Sequence, residues 1–515
     1  MSGEAGEMRG ATGDFADAGV RHDGGGLGLV VLAVLAYSAI HVGFRVWASS
    51  ALGEDDVYDN ILVQELRLAW EARQPPLYDW VLYGVQRLTG PSLASFLLIK
   101  YIALTATAAF LYLAALRVLG SRVWAFLTVE SLALIYQIAW RYHEGFTHEV
   151  LAMVAVAATL WAYLRVVDNG RLGDFVLLGV IGGLGALTEP SYSVYLLCLF
   201  LAGLLQPAIR ARVLRPGFLA TLAVGFAIAS PFLYWLISDP IQLKQLLRPP
   251  RDPWHEVVRG LFDGLRGPIL YLSPLIVFMP FVFPGFLRVA LADLRRAPNR
   301  TAEPDLAQLV LHGAYLAILM SLLGAIAFGI GGYPVHALMP LYVSTVAWLF
   351  SAAKRGGGGE LGISRFARLA GAIALLALVV RLANMFVLDP VCNTCRWGVP
   401  WPALADDLRR HGLSRGTIVT FEHPIGGNLR QLLPEATFIS RRYPVLTPAG
   451  ADKADRPMAL VWSSEWPESY AYRFFAEFIP PDRRLDEARQ VVIPWKHLWK
   501  PEGYRVSDWR VLILE

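Results

Sequence analysis

The sequence predicts a polytopic α-helical membrane protein of about eleven spans. Interfacial helices are expected in its first outer loop and a small extracytoplasmic α/β domain at its C-terminal end. Three observations lead there. The 515 residues are 55% hydrophobic and 17% charged, with a mean hydropathy of +0.44, whereas soluble domains carry about 25% charged residues. Apolar runs of spanning length, roughly 17–25 residues, recur along the chain. Beyond residue 390 that pattern gives way to short alternating strand-like and helix-like segments. The net charge of +4 does not mark a nucleic-acid partner; the bilayer is the partner that composition requires.

Residues 1–26, rich in Gly, Asp and Ala, read as a disordered tail. Spans are expected near 28–48, 92–116, 122–139, 149–166, 173–188, 190–206, 218–237, 269–287, 306–329, 335–353 and 369–388. Loops on the even side hold Arg117 and Arg122; Arg165 and Arg171; Arg210, Arg212 and Arg215; Arg288, Arg295, Arg296 and Arg300; and Lys354, Arg355, Arg365 and Arg368. Positive charge gathers on the cytoplasmic side. The N-terminus is therefore expected inside, and the first loop and everything after Leu388 outside. No internal repeat, P-loop, G-x-S-x-G or H-E-x-x-H is present.

The first outer loop opens on "GEDDVYDN", with Glu54, Asp55 and Asp56 directly after a span. Val57 to Trp70 has helical apolar spacing, and Gln74-Pro75-Pro76 stops it. A second amphipathic helix is expected over Leu77 to Leu88, both lying in the interface. Helix N-termini favour negative charge, so Asp55 or Asp56 as an N-cap is the plain structural alternative. A later outer segment, "AWRYHEGFTHEVLAM", packs Arg141, His143, Glu144, His148 and Glu149 together and opens the fourth span. The two loops could converge on one pocket. Residues 238–268 are unusually basic for the outer side: an interfacial helix with snorkelling side chains, or a grip on lipid phosphate. Arg45, Lys100 and Arg381 fall towards outer span ends, where snorkelling explains each. Glu130 falls near mid-membrane and needs a partner.

In the C-terminal segment "WPALADDLRRHG" and "GGNLRQLLP" read as helices, and "GTIVTFE", "ATFISRRYP", "PMALVWSS" and "WRVLILE" as strands of a partly parallel sheet. "PIGGN" is no dinucleotide fingerprint. Cys198 lies in an apolar run and reads as buried. Cys392 and Cys395 form C-x-x-C without nearby zinc partners, so a disulfide or redox pair is expected there.

The order of motifs resembles the GT-C superfamily, in particular the integral-membrane glycosyltransferases of family 39. That family includes protein O-mannosyltransferases and the aminoarabinose transferases of lipid A. The motifs are the acidic pair before an interfacial helix, "QPPLY", "THE" at a span start, "GLGALTEPSYSVYL", "HALMPLYV" and the outer domain with "GTIVTFEHPIGGNLRQLLP". The resemblance covers nearly the whole chain after the tail. It implies residues 27–390 as the transmembrane catalytic domain and 391–515 as a periplasmic α/β domain, in a bacterial inner membrane. It implies a polyprenyl-phosphate sugar donor and an envelope glycolipid or protein acceptor. Asp55 and Asp56 then match the family's catalytic acidic pair, and Glu149, after His148, its second-loop acid. Contacts to the donor phosphate or substrate fall to Arg45, Gln74, Arg141, His143, His148, Glu149, Glu189 and His336. Glu189 and His336 stand where many members carry basic residues, and Glu189 would repel a phosphate. The need for a cofactor is left open by the resemblance; the candidate is a divalent cation held by His148 and Glu149.

The chemistry fits those residue types. A base must take the proton of the attacking acceptor hydroxyl, and cationic groups must meet the charge that develops on the leaving phosphate. Inversion by one displacement is the simplest course. A transporter or flippase is the competing reading, and it predicts paired repeats and broken helices at mid-membrane. A sensor or assembly protein with a ligand-binding outer domain is the third.

Overall fold

The computed structural model describes residues 24–242, 253–328, 338–392, 394–451 and 457–514. The chain opens with helix α1 (Gly24–Ala48), followed in the first loop by α2 (Glu54–Leu62) and α3 (Leu77–Thr89). The long apolar helices α4 (Leu93–Leu119) and α5 (His148–Asn169) come next. After Leu172–Ala186 come the helices Pro190–Leu204 and Pro207–Val213, bent by 117° at their junction, then Gly217–Ser238, Leu306–Phe328 and α6 (Glu360–Phe386). Six helices among the described residues are long and apolar enough to cross a membrane, or seven if the bent pair is one span. The protein is therefore a polytopic membrane protein.

Several expected spans take a broken form. The run expected over 122–139 is the helix Arg122–Glu130, a 3-10 turn Ser131–Leu134 and a short helix Tyr136–Ala139. The run 269–287 is split among Pro253–Tyr271, Leu275–Val282 and Phe286–Leu294, with Pro274 at the first break and Pro284-Gly285 at the second, where a missing N–H or a flexible backbone ends the ladder. The expected helix Val57–Trp70 starts earlier and stops at Leu62, whereas the expected Leu77–Leu88 is found as Leu77–Thr89. Residues 1–23 of the expected tail and 243–252 of the basic stretch 238–268 lie outside the described residues, whereas residues 24–26 already belong to α1 and 253–268 to the helix Pro253–Tyr271.

The C-terminal unit is a five-stranded sheet in the order β2-β1-β3-β5-β4. The strands are β1 (Gly416–Val419), β2 (Ala436–Ile439), β3 (Met458–Ser463), β4 (Arg489–Pro494) and β5 (Val506–Leu514). β1 pairs parallel with β2 and β3, while β5 runs antiparallel to β3 and β4. Helix α7 (His423–Leu432) follows β1. Alternation along the strands buries one set of side chains on each face. On one face Ile418, Phe438, Ala459 and Val461 meet Leu404, Leu408, Ile425 and Leu429. On the other, Val419, Phe421, Leu460 and Trp462 meet Phe475.

The first of these cores also contains Ala51, Ile61, Leu62 and Trp70 of the first loop. The C-terminal unit thus completes its core with residues from the start of the chain. Cys392 and Cys395 are joined as a disulfide just after α6, and Cys198 is a buried free thiol.

Candidate active site

Helix α2 is short and begins without a side-chain cap. Gly53 occupies its N-cap position, so neither Asp55 nor Asp56 caps it. Its three leading acids point to three different surroundings. Glu54 is held by Arg141, whose Nη1 donates to Oε1 at 2.8 Å and whose Nη2 donates to Oε2 at 2.5 Å. Asp56 turns inward, where Lys100 Nζ of α4 donates to Oδ1 at 2.7 Å and Oδ2 at 2.9 Å. Both side chains of that pair are 2% exposed. Lys100, expected to snorkel, is instead committed to this buried pair. Asp55, between them, is exposed.

Asp55 nevertheless sits among carboxylates. Surrounding protein, then the charges of Glu149, Asp56 and Glu54, push its pKa up to about 7. A carboxyl poised near neutrality suits a general base. Asp56 is raised by burial, with Lys100 opposing. Glu189 is held at about 8 by burial and by Glu149. It is largely protonated at neutral pH, and the repulsion of phosphate expected from it is correspondingly weak.

Around Asp55 the loops converge as the sequence suggested, with additions. His148 Nε2 at the start of α5 lies 3.4 Å from Asp79 Oδ2 of α3, and its Nδ1 lies 3.3 Å from the Thr147 hydroxyl. The Thr147 N–H donates to Glu149 Oε2 at 3.2 Å. Asp59, 1% exposed, lies close enough to His148, Asp79 and Asp55 to feel their charges, and burial raises it well above the ordinary carboxylate range. Leu77 N–H donates to Leu187 O at 2.9 Å, tying α3 to the Glu189 turn. Among the described residues no group of three or more His, Cys, Asp or Glu could hold a metal ion.

Other expected residues sit elsewhere. His143 is 3% exposed and is bound on both ring nitrogens, by Tyr37 Oη at 2.7 Å and Tyr101 Oη at 2.9 Å. It stacks on His41 with ring centroids 4.0 Å apart. Arg45 neither snorkels nor points at Asp55: it donates to the carbonyls of Ser49 and Ala51 and lies 4.9 Å over the Trp397 ring. Gln74 forms an isolated bridge with Glu71, its carboxamide oxygen buried. His336 lies outside the described residues.

Helix α7 of the C-terminal unit clamps α2 from behind. Asn428 Oδ1 accepts from Leu52 N–H at 2.8 Å, and Asn60 Nδ2 donates to Gly427 O at 2.7 Å. Arg430 donates to Asn60 and, at 2.8 Å, to Gln86 Oε1 of α3. The helices approach so closely that a Cβ on Gly427 would lie 2.2 Å from Val57 O. This is what "PIGGN" does: its glycines bring α7 against the acidic helix. Nothing in the sequence linked residues 426–430 to 52–60. Asp59 and Asp79 were legible only as acids on amphipathic helices.

Comparison with known proteins agrees with this architecture. Residues 73–235 match the family described as dolichyl-phosphate-mannose-protein mannosyltransferase. The lipopolysaccharide core galacturonosyltransferase RgtA of Rhizobium johnstonii is 23% identical over 441 residues, 84% of this chain and 86% of that one. RgtB of the same organism is 23% identical over 442 residues, 83% and 85% of the two chains. The crystal structure of ArnT from Cupriavidus metallidurans bound to undecaprenyl phosphate superposes with a TM-score of 0.63 at 13% identity, covering 95% of this chain and 98% of that one. Its apo form gives 0.58 at 13% identity, covering 94% and 97%. These matches support no transporter, and the chain is a membrane glycosyltransferase with a fold like that of ArnT.

Proposed function

We propose that the chain transfers a uronic acid, galacturonate in the first instance, from a polyprenyl-phosphate donor to a lipopolysaccharide-core glycolipid on the outer face of a bacterial inner membrane. The observation that carries this reading is Asp55: an exposed carboxyl at a helix start, flanked by two acids bound to cations, its pKa near neutrality. The similarity to the galacturonosyltransferases supports the sugar and the acceptor. The likeness to ArnT, seen with undecaprenyl phosphate, supports the donor lipid.

In this reading the acceptor hydroxyl attacks the anomeric carbon while Asp55 takes its proton. The anomeric carbon–oxygen bond breaks, and its electron pair leaves on the phosphate, with inversion. Asp56, buried against Lys100, positions the helix. Glu149, His148, Asp79 and Glu189 line the same side and bind the sugar. The N-terminus lies in the cytoplasm and the C-terminal unit, residues 391–515, in the periplasm, in keeping with the Arg and Lys of the even-side loops. Residues 27–390 form the transmembrane catalytic part, with the first loop shared between the two.

The test is transfer in membranes from radiolabelled polyprenyl-phosphate galacturonate, with lipid, lipopolysaccharide and protein fractions separated. Label should enter the lipopolysaccharide fraction, and Asp55→Asn should lower the rate by about 10²–10⁴-fold, the usual worth of a general base. Ionising Asp55 costs the folded state stability as pH climbs from the ordinary carboxylate range towards about 7. The Asn variant should therefore unfold no more readily than wild type above neutral pH. Undiminished transfer by Asp55→Asn, or label in protein alone, would overturn the reading.

A further inference from the structure

Three guanidiniums lie within electrostatic reach of one another: Arg45 near the end of α1, Arg381 near the end of α6, and Arg396 just past the disulfide, which lies against the start of α2. Arg45 is consumed by the backbone carbonyls of Ser49 and Ala51. The other two are not. Arg381 is 4% exposed; its Nη2 donates to His143 O, while its Nη1 is buried without a hydrogen-bond partner. Arg396 lies 5.0 Å over the Trp397 ring, its Nη1 3.7 Å from Glu54 Oε1. Its Nε and Nη2 are buried and unpartnered.

Nearby negative charge is largely engaged. Glu54 is held by two nitrogens of Arg141, Glu144 shares Arg141 and lies in the field of Arg396, and Asp56 is held by Lys100. Among the described residues no carboxylate lies within salt-bridge distance of Arg381. Buried polar groups are almost always hydrogen-bonded, and an uncompensated buried charge costs several kcal/mol. Two guanidiniums left open side by side are therefore a vacancy for an anion. Arginine's planar fork suits phosphate and carboxylate oxygens.

The place fits the reaction. Arg396 Nη2 would lie 2.6 Å from a Cβ on Gly53, so glycine is what lets the guanidinium lie against the start of the helix that carries Asp55 two residues on. Tryptophan 47 of α1 and Phe386 of α6 touch with ring centroids 4.7 Å apart. These two spans are among the least buried in the bundle, which leaves their flanks to the bilayer and to a lipid arriving from it.

We propose that Arg381 and Arg396, backed by Arg45, form an oxyanion grip next to Asp55 that takes an anionic group of the donor: the phosphate joining sugar to lipid, or the carboxylate of a uronic sugar. This rests on the transferase reading above. The grip supplies the cationic charge that Glu189 does not, and on the phosphate it would stabilise the charge that builds there as the bond breaks.

The full chain in lipid nanodiscs tests it. Undecaprenyl phosphate and undecaprenol are compared for binding, and galacturonosyl and galactosyl polyprenyl phosphates for transfer, in wild type, Arg396→Gln, Arg381→Gln and Arg381→Lys. Wild type should prefer the phosphate to the alcohol, and each Gln variant should lower that preference about tenfold or more, with Arg381→Lys restoring part of it. A fall in the preference for the uronic donor, with undecaprenyl phosphate binding kept, would equally support the grip and assign it to the carboxylate. If neither preference moves, the grip is overturned. Arg396 is in a loop and part-exposed, so its variant carries the test even should Arg381→Gln fail to fold. If wild type binds undecaprenyl phosphate through these arginines yet transfers no sugar, the transferase reading fails and the grip stands.

Discussion

Replacing Gly427 with alanine should cripple catalysis from a residue that never touches substrate. A Cβ there would lie 2.2 Å from Val57 O, 2.5 Å from Val57 Cα and 2.6 Å from Val57 Cβ. Two of the three are backbone atoms, which no side-chain rotation can move aside. Ordinary contacts begin near 3.4 Å, so α2 and α7 must separate by about 1 Å, at an overpacking cost of about 1–3 kcal/mol. Asp55 lies two residues before Val57, and a shift of about 1 Å in a reacting group costs about 10²-fold in rate. Gly426→Ala is the internal control. Its nearest neighbour is Ile61 Cδ1 at 2.7 Å, the rotatable end of a side chain, and its effect should be small. The assay is kcat for sugar transfer in parallel with thermal unfolding of the purified chain, so that lost geometry is separated from lost protein. The expected order is a large fall in kcat for Gly427→Ala with a folded chain, and little change for Gly426→Ala. If Gly427→Ala keeps kcat within about twofold, less than about 0.5 kcal/mol of barrier, or if the two substitutions prove equal, the clamp does not position Asp55.

Two further outcomes follow from the charges around α2. Lys100→Met leaves Asp56 buried and unpaired, which should cost about 3–5 kcal/mol; a thermal midpoint equal to wild type would show that the pair contributes nothing. Glu149→Gln removes the like charge that, after burial, does most to raise Asp55. The acidic limb of kcat/KM, expected near pH 7, should then move to lower pH, and a limb that stays put would mean that another group is the titrating base.

The architecture was legible because its signals are local. The apolar runs, the Pro75-Pro76 stop and the alternation in residues 416–463 each depend on neighbours in sequence, and α3 and the first three strands lie where these patterns place them. The broken stretches at 122–139 and 269–287 were not legible, because hydropathy counts apolar residues and is blind to where a backbone ladder is interrupted. β4 was missed: Arg489–Pro494 is a short strand at the sheet edge, with an indistinct burial pattern. Asp55 and Glu149 were found as acids at helix starts. Arg381 and Arg396 were not found as a site, since the first read as a snorkelling side chain and nothing in the sequence singled out the second. Only their proximity to each other in space, with Arg396 lying against Gly53, gives them meaning.

That convergence also explains why three acids stand in a row beside a span. Successive residues on a helix point about 100° apart, so Glu54, Asp55 and Asp56 cannot share one partner. Arg141 takes the first at one side of the helix and Lys100 takes the third in the interior. With α7 behind, the helix is held on three sides, and the middle acid is left unclaimed. A lone aspartate could also ionise, but it would lack the two anchors that fix its direction and the neighbouring charges that add to burial in lifting its pKa towards neutrality. On the mechanism proposed above, the run of acids is therefore one reactive carboxyl and the two fixings that hold it.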